Sequence, residues 1–373
     1  MVAVFSLIFC FFLNFSFAGQ NEDTTGKKTA KTFDANEVIF GHISDGHEFH
    51  FFSYESGGKD HEVTIPLPVI LYSPQRGFSA FMSSQFHHGE EIYKGYALLS
   101  FANIKEWGLD AKKFHAGQVI AVKDNGEPDP SVRIYDFSLT RNVVQLIIAL
   151  GLLVWVMLTI AKRYNKGEGV KNAPKGVQNL WEPVIVFIRD DIAKPNLGHK
   201  YEKYLPYILT IFFFILINNL IGLIPGTANV TGNIAFTMLL ALISFIVIMF
   251  SSNKHYWKHI FWPSVPHWVK PILIPVEVLG IFTKPFALMI RLFANMVAGH
   301  IIILSLVSLI FILGVANKVT GYAVSPFSIG FVVFIYFIEI LVAFLQAYIF
   351  AMLTAVFIGQ AFEGEHHEEK VQV

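Results

Sequence analysis

Hydrophobic and polar positions divide the chain near residue 138. Beyond it, five apolar runs at about 142–161, 205–224, 234–252, 277–313 and 329–358 each reach the roughly 20 residues that a membrane helix needs. The last two exceed that length, so they are expected to lie tilted or bent, as an antiparallel pair. Before residue 138 the pattern changes. Residues 27–136 carry ordinary charge, strand-like runs at Val63–Tyr72 and Gln118–Val122, and a turn signal at Asp124-Asn125-Gly126. Met1–Phe17 is apolar, and Ser16-Phe17-Ala18 supplies a small-x-small pattern ahead of polar Gln20-Asn21-Glu22-Asp23. This predicts a secretory signal peptide over 1–18 despite the missing basic start, with an uncleaved anchor helix as the alternative. The predicted fold class is an all-α polytopic membrane protein of five helices (138–362). A small, mostly β external domain (19–137) precedes it, and a charged tail (363–373) follows.

Composition agrees with a membrane protein. Hydrophobic residues form 54% of the chain and 37 of its 373 residues are Phe. Formal net charge is zero, so no global field points to nucleic acid as a partner; the partner that composition implies is the lipid bilayer. The single cysteine, Cys10, lies in the predicted signal peptide, which excludes disulfides and thiolate metal sites.

Loop charge sets an orientation. Segments 162–204, 253–276 and 359–373 hold nine, three and one Lys or Arg, whereas 225–233 and 314–328 hold only Lys318. The positive-inside rule then places the 162–204 side in the cytoplasm. Five spans give an external N-terminal domain and a cytoplasmic C-terminus, in agreement with the signal peptide.

Within the fourth run, Arg291 is the most informative residue. A guanidinium cannot neutralise itself by losing a proton, and at mid-membrane it costs roughly 2.5–3.5 kcal/mol even on lenient insertion scales. Polar His300 is nine positions further on, which places Arg291 too deep for easy snorkelling. The alternative to a functional charge is pairing with a carboxylate in its own bundle. At about 100° per residue, Glu277, Lys284 and Asn295 fall within about 40° of Arg291, flanked by Ala287, Ala294 and Ala298. Small residues around a buried charge let another helix approach closely. His300 lies on the opposite face, about 13 Å nearer the outside.

The fifth run carries Glu339 and Gln346 on one face with Ala343 between them. Antiparallel packing with Gln346 level with Arg291 brings residue 337 level with His300, within a turn of Glu339. Imidazole and carboxylate at one depth make a proton relay; a static ion pair is the alternative reading.

The motif Arg291-Leu292-Phe293-Ala294-Asn295-Met296-Val297-Ala298-Gly299 resembles that of subunit a of the rotary F-type ATP synthase. So do Leu345-Gln346-Ala347-Tyr348-Ile349-Phe350 and Asn219-Leu220-Ile221-Gly222-Leu223-Ile224-Pro225, and the likeness runs in order from about 138 to 362. It implies a proton-translocating stator subunit with two aqueous half-channels to a ring of c subunits. Arg291 would separate them, facing a c carboxylate. Asn295 and Gln346 would be its polar neighbours, His300 and Glu339 the outer half-channel groups, and Glu277 a cytoplasmic one. Many bacterial relatives carry the carboxylate at the 300 position and the histidine at 339; this chain has them exchanged. The b subunits of the peripheral stalk and, through the complex, the F1 sector are the further implied partners, in a bacterial inner membrane.

The likeness does not extend to the front third, where His42, His47, His50 and His87-His88 fit no strong metal pattern and read as exposed loop or edge residues. No cofactor or metal is expected. The chain contains no phosphate-binding loop, so nucleotide chemistry belongs to partner subunits. An ion-coupled secondary transporter with an intramembrane Arg/His/Glu site is the alternative function, but five spans do not divide into inverted repeats. An intramembrane hydrolase lacks a nucleophile and base set.

Overall fold

The computed structural model describes residues 39, 41 and 45–362, apart from 57–58, 90, 111–113, 124, 130, 168–175, 225 and 264. The expected signal peptide and charged tail lie outside the described residues, as do residues 42–44 at the start of the His42–His50 stretch.

The front region is built from short antiparallel pairs. Strands β1 (Glu48–Ser56) and β2 (Lys59–Pro66) form a hairpin. Strands β3 (Pro68–Ser73) and β4 (Gly77–Met82) form a second. The run expected at 63–72 divides at Leu67, where Pro66 and Pro68 both lack the N–H a continuous ladder needs. β5 (Tyr96–Leu98) pairs with β6 (Val119–Ala121), with a short helix, α1 (Phe101–Glu106), between them. Val69 and Leu71, alternate residues of β3, are fully buried and meet Phe86, Tyr96, Leu98 and Val119 in a small core. His47, nearly fully buried, lies 3.3 Å from Asp136.

The last strand, β7 (Tyr135–Asp136), joins the free edge of β3 and leads straight into the first membrane helix, α2 (Arg141–Asn165). That entry is tied down. The Leu139 and Arg141 N–H groups donate to the carbonyls of Pro68 (3.2 Å) and Gly46 (2.9 Å), and the Asn142 N–H donates to the Asp45 carboxylate (3.3 Å). The Arg141 side chain reaches the Gly41 carbonyl at 3.3 Å. Amide groups of the first helical turn that would otherwise be orphaned are therefore satisfied by the front region.

Among the described residues, five helices are long and apolar enough to cross a bilayer. After α2 the chain forms α3 (Val177–Phe187), a π-helical turn (Ile188–Ala193) and α4 (Lys194–Leu197), and then α5 (Tyr201–Gly222). The stretch before 205, expected as a cytoplasmic loop, is thus largely helical. Trp181, Val184, Ile185, Ile188 and Ile192 pack against the core from one side, while interspersed charges kept its mean hydropathy below that of a span. On the Asp190 carboxylate, Arg189 and Lys194 converge at 2.8 and 2.7 Å, which holds its pKa below the ordinary value.

Helix α5 is apolar around its circumference and becomes the central member, with Ile208, Phe212, Phe213 and Ile215 buried. It is followed by a 3-10 turn (Val230–Gly232), α6 (Ile234–Ser251), α7 (Lys254–Phe261), α8 (Lys270–Ala316) and α9 (Lys318–Phe362). Helices α8 and α9 have 47 and 45 residues, longer than the apolar runs alone suggest. At about 1.5 Å per residue each is roughly 70 Å long, more than twice the hydrocarbon thickness. Helix α9 presents Ala343, Ala347, Ala351 and Ala355, four apart and fully buried, so that bulky residues of α5 seat directly against its backbone. α8 and α9 run antiparallel, meeting at Gly314 and Gly321 beside their turn, where a Cβ on Gly321 would lie 2.7 Å from the Gly314 Cα.

Candidate functional site

The site lies along the α8–α9 seam and has two faces. On α8, Leu288, Leu292 and Met296 recur every fourth residue and are buried. This stripe turns Arg291 to the opposite side, where it is exposed with Ala287, Ala294, Asn295 and Ala298. Among the described residues the Arg291 guanidinium makes neither a hydrogen bond nor an ion pair. A cation amid small side chains on an uncovered helix face leaves room for an anionic partner carried by another chain.

One turn from Arg291, the Asn295 Nδ2 donates to Gln346 Oε1 at 2.9 Å, the polar bond joining α8 to α9 at this level. Gln346 is buried and Asn295 remains exposed. The expected pairing set Gln346 level with Arg291; its amide bonds to Asn295, one turn further along α8.

Toward the front-domain side, Glu339 is nearly buried and lies against Gly299 so closely that a Cβ there would coincide with its Oε1. Its other oxygen, Oε2, has no hydrogen-bond partner among the described residues. His300, the next residue on α8, points elsewhere. Its Nε2 lies 3.0 Å from the Gly222 carbonyl, and its Nδ1 lies 3.2 Å from Asn229 Nδ2 and 3.0 Å from the Met296 carbonyl. Glu339 and His300 thus sit at one depth on neighbouring residues without touching. Gln145, Asn218 and Asn219, on α2 and α5, are buried on the same side, and each has a side-chain oxygen without a partner among the described residues. Such atoms inside an apolar bundle favour hydration over dryness.

At the other end, Lys284 donates to Gln360 Oε1 at 3.0 Å, with its ammonium 4.8 Å from the Phe357 ring centroid. Glu277 is half-buried within electrostatic range of Lys284 and Tyr256, two turns inward of the Lys284 level. The six residues expected to matter therefore fall into three groups along one seam: Glu277; Arg291 with Asn295 and Gln346; and His300 with Glu339. Sequence reasoning missed Asn229 and the Gly222 carbonyl, because a charge-free connection between spans gives no periodic signal. An Asn three residues before a Gly was the available hint of a capped turn.

Comparison with known proteins accords with this geometry. Residues 143–359 match the family model of the ATP synthase A chain, and residues 38–137 match a family described only as a domain of unknown function. ATP synthase subunit a of Chloroherpeton thalassium is 48% identical over 250 residues, covering 65% of this chain and 72% of the relative. ATP synthase subunit a 2 of Chlorobaculum tepidum is 50% identical over 240 residues, 63% and 66% of the two chains. ATP synthase subunit a of Myxococcus xanthus is 41% identical over 256 residues, 66% and 81%.

The Asn295–Gln346 bond makes a measurable prediction. Asn295→Leu and Gln346→Leu should each lower stability in detergent by about 1 kcal/mol, since each strands the partner amide. The double variant should lose less than the sum of the two, read as a double-mutant cycle on unfolding temperature. Full additivity would mean that the two amides do not interact.

Proposed function

The chain belongs to the ATP synthase A chain family, the proton-translocating stator subunit of the rotary ATP synthase, and on that premise we propose which residues carry the proton and the barrier. The observation that carries the reading is Arg291: an exposed guanidinium without a hydrogen-bond or ion-pair partner among the described residues, set midway along an apolar helix. It faces the carboxylate of a c subunit. Its fixed charge keeps that carboxylate ionised as it passes and repels a proton crossing the gap directly. The two proton routes are thereby separated by a charge that cannot titrate away.

A proton enters on the front-domain side, among Gln145, Asn218 and Asn219, and passes the level of His300 and Glu339. It then neutralises a c carboxylate, which can face lipid at low cost. Rotation of the ring brings the carboxyl round to the far side of Arg291, where the proton leaves past Glu277. Asn295 and Gln346 hold α8 and α9 in register beside the arginine. Each proton crossing about 100 mV delivers about 2.3 kcal/mol, so several are needed per ATP. The b subunits and the F1 sector are the remaining partners: they hold this chain against the turning ring and use the torque. The front domain lies in the periplasm and the C-terminus in the cytoplasm of a bacterial inner membrane. Loop-charge asymmetry supports this orientation.

Arg291→Ala should leave the complex assembled and abolish proton-driven ATP synthesis in membrane vesicles, because a barrier charge is lost and not a packing contact. Arg291→Lys should fail or work poorly, since an ammonium can lose its proton. Normal coupled synthesis in Arg291→Ala refutes the assignment. For the orientation, a cysteine at Asn125 in a Cys10-free background should react with an impermeant thiol reagent in intact cells, and one at Lys171 should not. The reverse pattern exchanges inlet and outlet.

A further inference from the structure

We propose that Asn229 is a positioning residue that selects the ring nitrogen of His300 through which the proton passes; this rests on the reading of His300 as an inlet group. Asn229 opens the 3-10 turn, where its Oδ1 accepts from the Gly232 N–H at 2.9 Å. Thr231 Oγ1 stands 3.4 Å from the same oxygen. The amide orientation is thereby assigned by its own turn, and the NH2 group is the end that faces α8. There it lies 3.2 Å from His300 Nδ1 and 3.4 Å from the Met296 carbonyl. Asn229 is buried, and Gly232 leaves no slack: a Cβ there would lie 2.5 Å from Asn229 Nδ2.

The chemistry of the ring follows from these partners. The Gly222 carbonyl can only accept, so the proton of the neutral imidazole sits on Nε2. Nδ1 is then a lone pair held by the Asn229 N–H. In this state the Met296 carbonyl 3.0 Å away is a second acceptor facing Nδ1, and the Asn229 NH2 also reaches it at 3.4 Å. When hydronium delivers a proton to Nδ1, water leaves and the ring becomes an imidazolium. The new N–H donates to the Met296 carbonyl, while the Nε2–H stays on Gly222. The same proton later departs from Nδ1, and the Asn229 N–H recaptures the lone pair. The cycle needs no ring flip, because each state has an acceptor or donor already in place. Charged groups facing this site are few: α6 and the outer half of α5 carry none, α9 brings Glu339 to Gly299, and α2 begins with Arg141.

Two substitutions separate this role from that of a simple cap, since Ser and Asp both accept from the turn N–H as well as Asn does. Asn229→Ser keeps the cap and removes the donor from Nδ1. Asn229→Asp keeps the cap and places an acceptor there, which favours a proton on Nδ1. ATP-driven proton pumping is measured in vesicles across pH, normalised to assembled complex, with His300→Ala alongside. Asn229→Ser should lower normalised flux about tenfold, the effect of losing roughly one directed hydrogen bond. Asn229→Asp should lower it at neutral pH and move the pH profile upward. Full normalised flux in His300→Ala overturns the inlet reading itself. Loss there, with unchanged flux and pH profile in both Asn229 variants, overturns the role of Asn229 alone.

Discussion

An arginine at mid-membrane without a hydrogen-bond or ion-pair partner among the described residues is the constraint around which the rest of this molecule is arranged. A helix that carries so costly a charge on an open face must still be held firmly. The fold provides both. Leu288, Leu292 and Met296 anchor α8 inward, leaving Arg291 with only small neighbours on the outer side. Helix α9 is seated against α5 through its alanine stripe, and the Asn295–Gln346 bond ties the two long helices together one turn from the charge. Rigidity on one face and openness on the other are what a stationary barrier beside a moving surface requires.

The polar residues away from Arg291 divide by side. Those toward the front domain are uncharged amides, one imidazole and one nearly buried carboxylate. Those on the far side include a lysine and a glutamate within electrostatic range of each other. A proton route through the first environment would depend on hydration and on hydrogen-bond direction, and the proposal for the Asn229 amide turns on that direction. The front region bears on the same side mechanically, since it fixes the first turn of α2 with backbone bonds from Gly46 and Pro68.

Much of this was legible in the sequence. Long apolar runs predict helices because a bilayer demands them, and 100° spacing sorts Arg291 from His300 without any structure. Three things were not legible. The helical segment before α5 mixes charge with apolar residues, so a span-length window dilutes its periodicity. The bond that joins Asn295 to Gln346 is a tertiary contact between two separate spans, and no local pattern announces it. His300 and Glu339 share a depth, but their side chains diverge, because Gly299 admits the carboxylate on one side of α8 while the turn at Asn229 captures the imidazole on another.

The central claim is that the uncovered face around Arg291 is occupied by the c subunit whose carboxylate the arginine serves. A cysteine at Ala294, exposed one turn from Arg291, tests it directly in a Cys10-free background, paired with a cysteine one turn from the carboxylate of the c subunit. Mild oxidation of native membranes should give a disulfide-linked product of this chain with one c subunit, reversed by a reducing agent. If Ala294→Cys instead stays free under oxidation while reacting fully with a lipid-soluble maleimide, that face contacts lipid and the account is wrong.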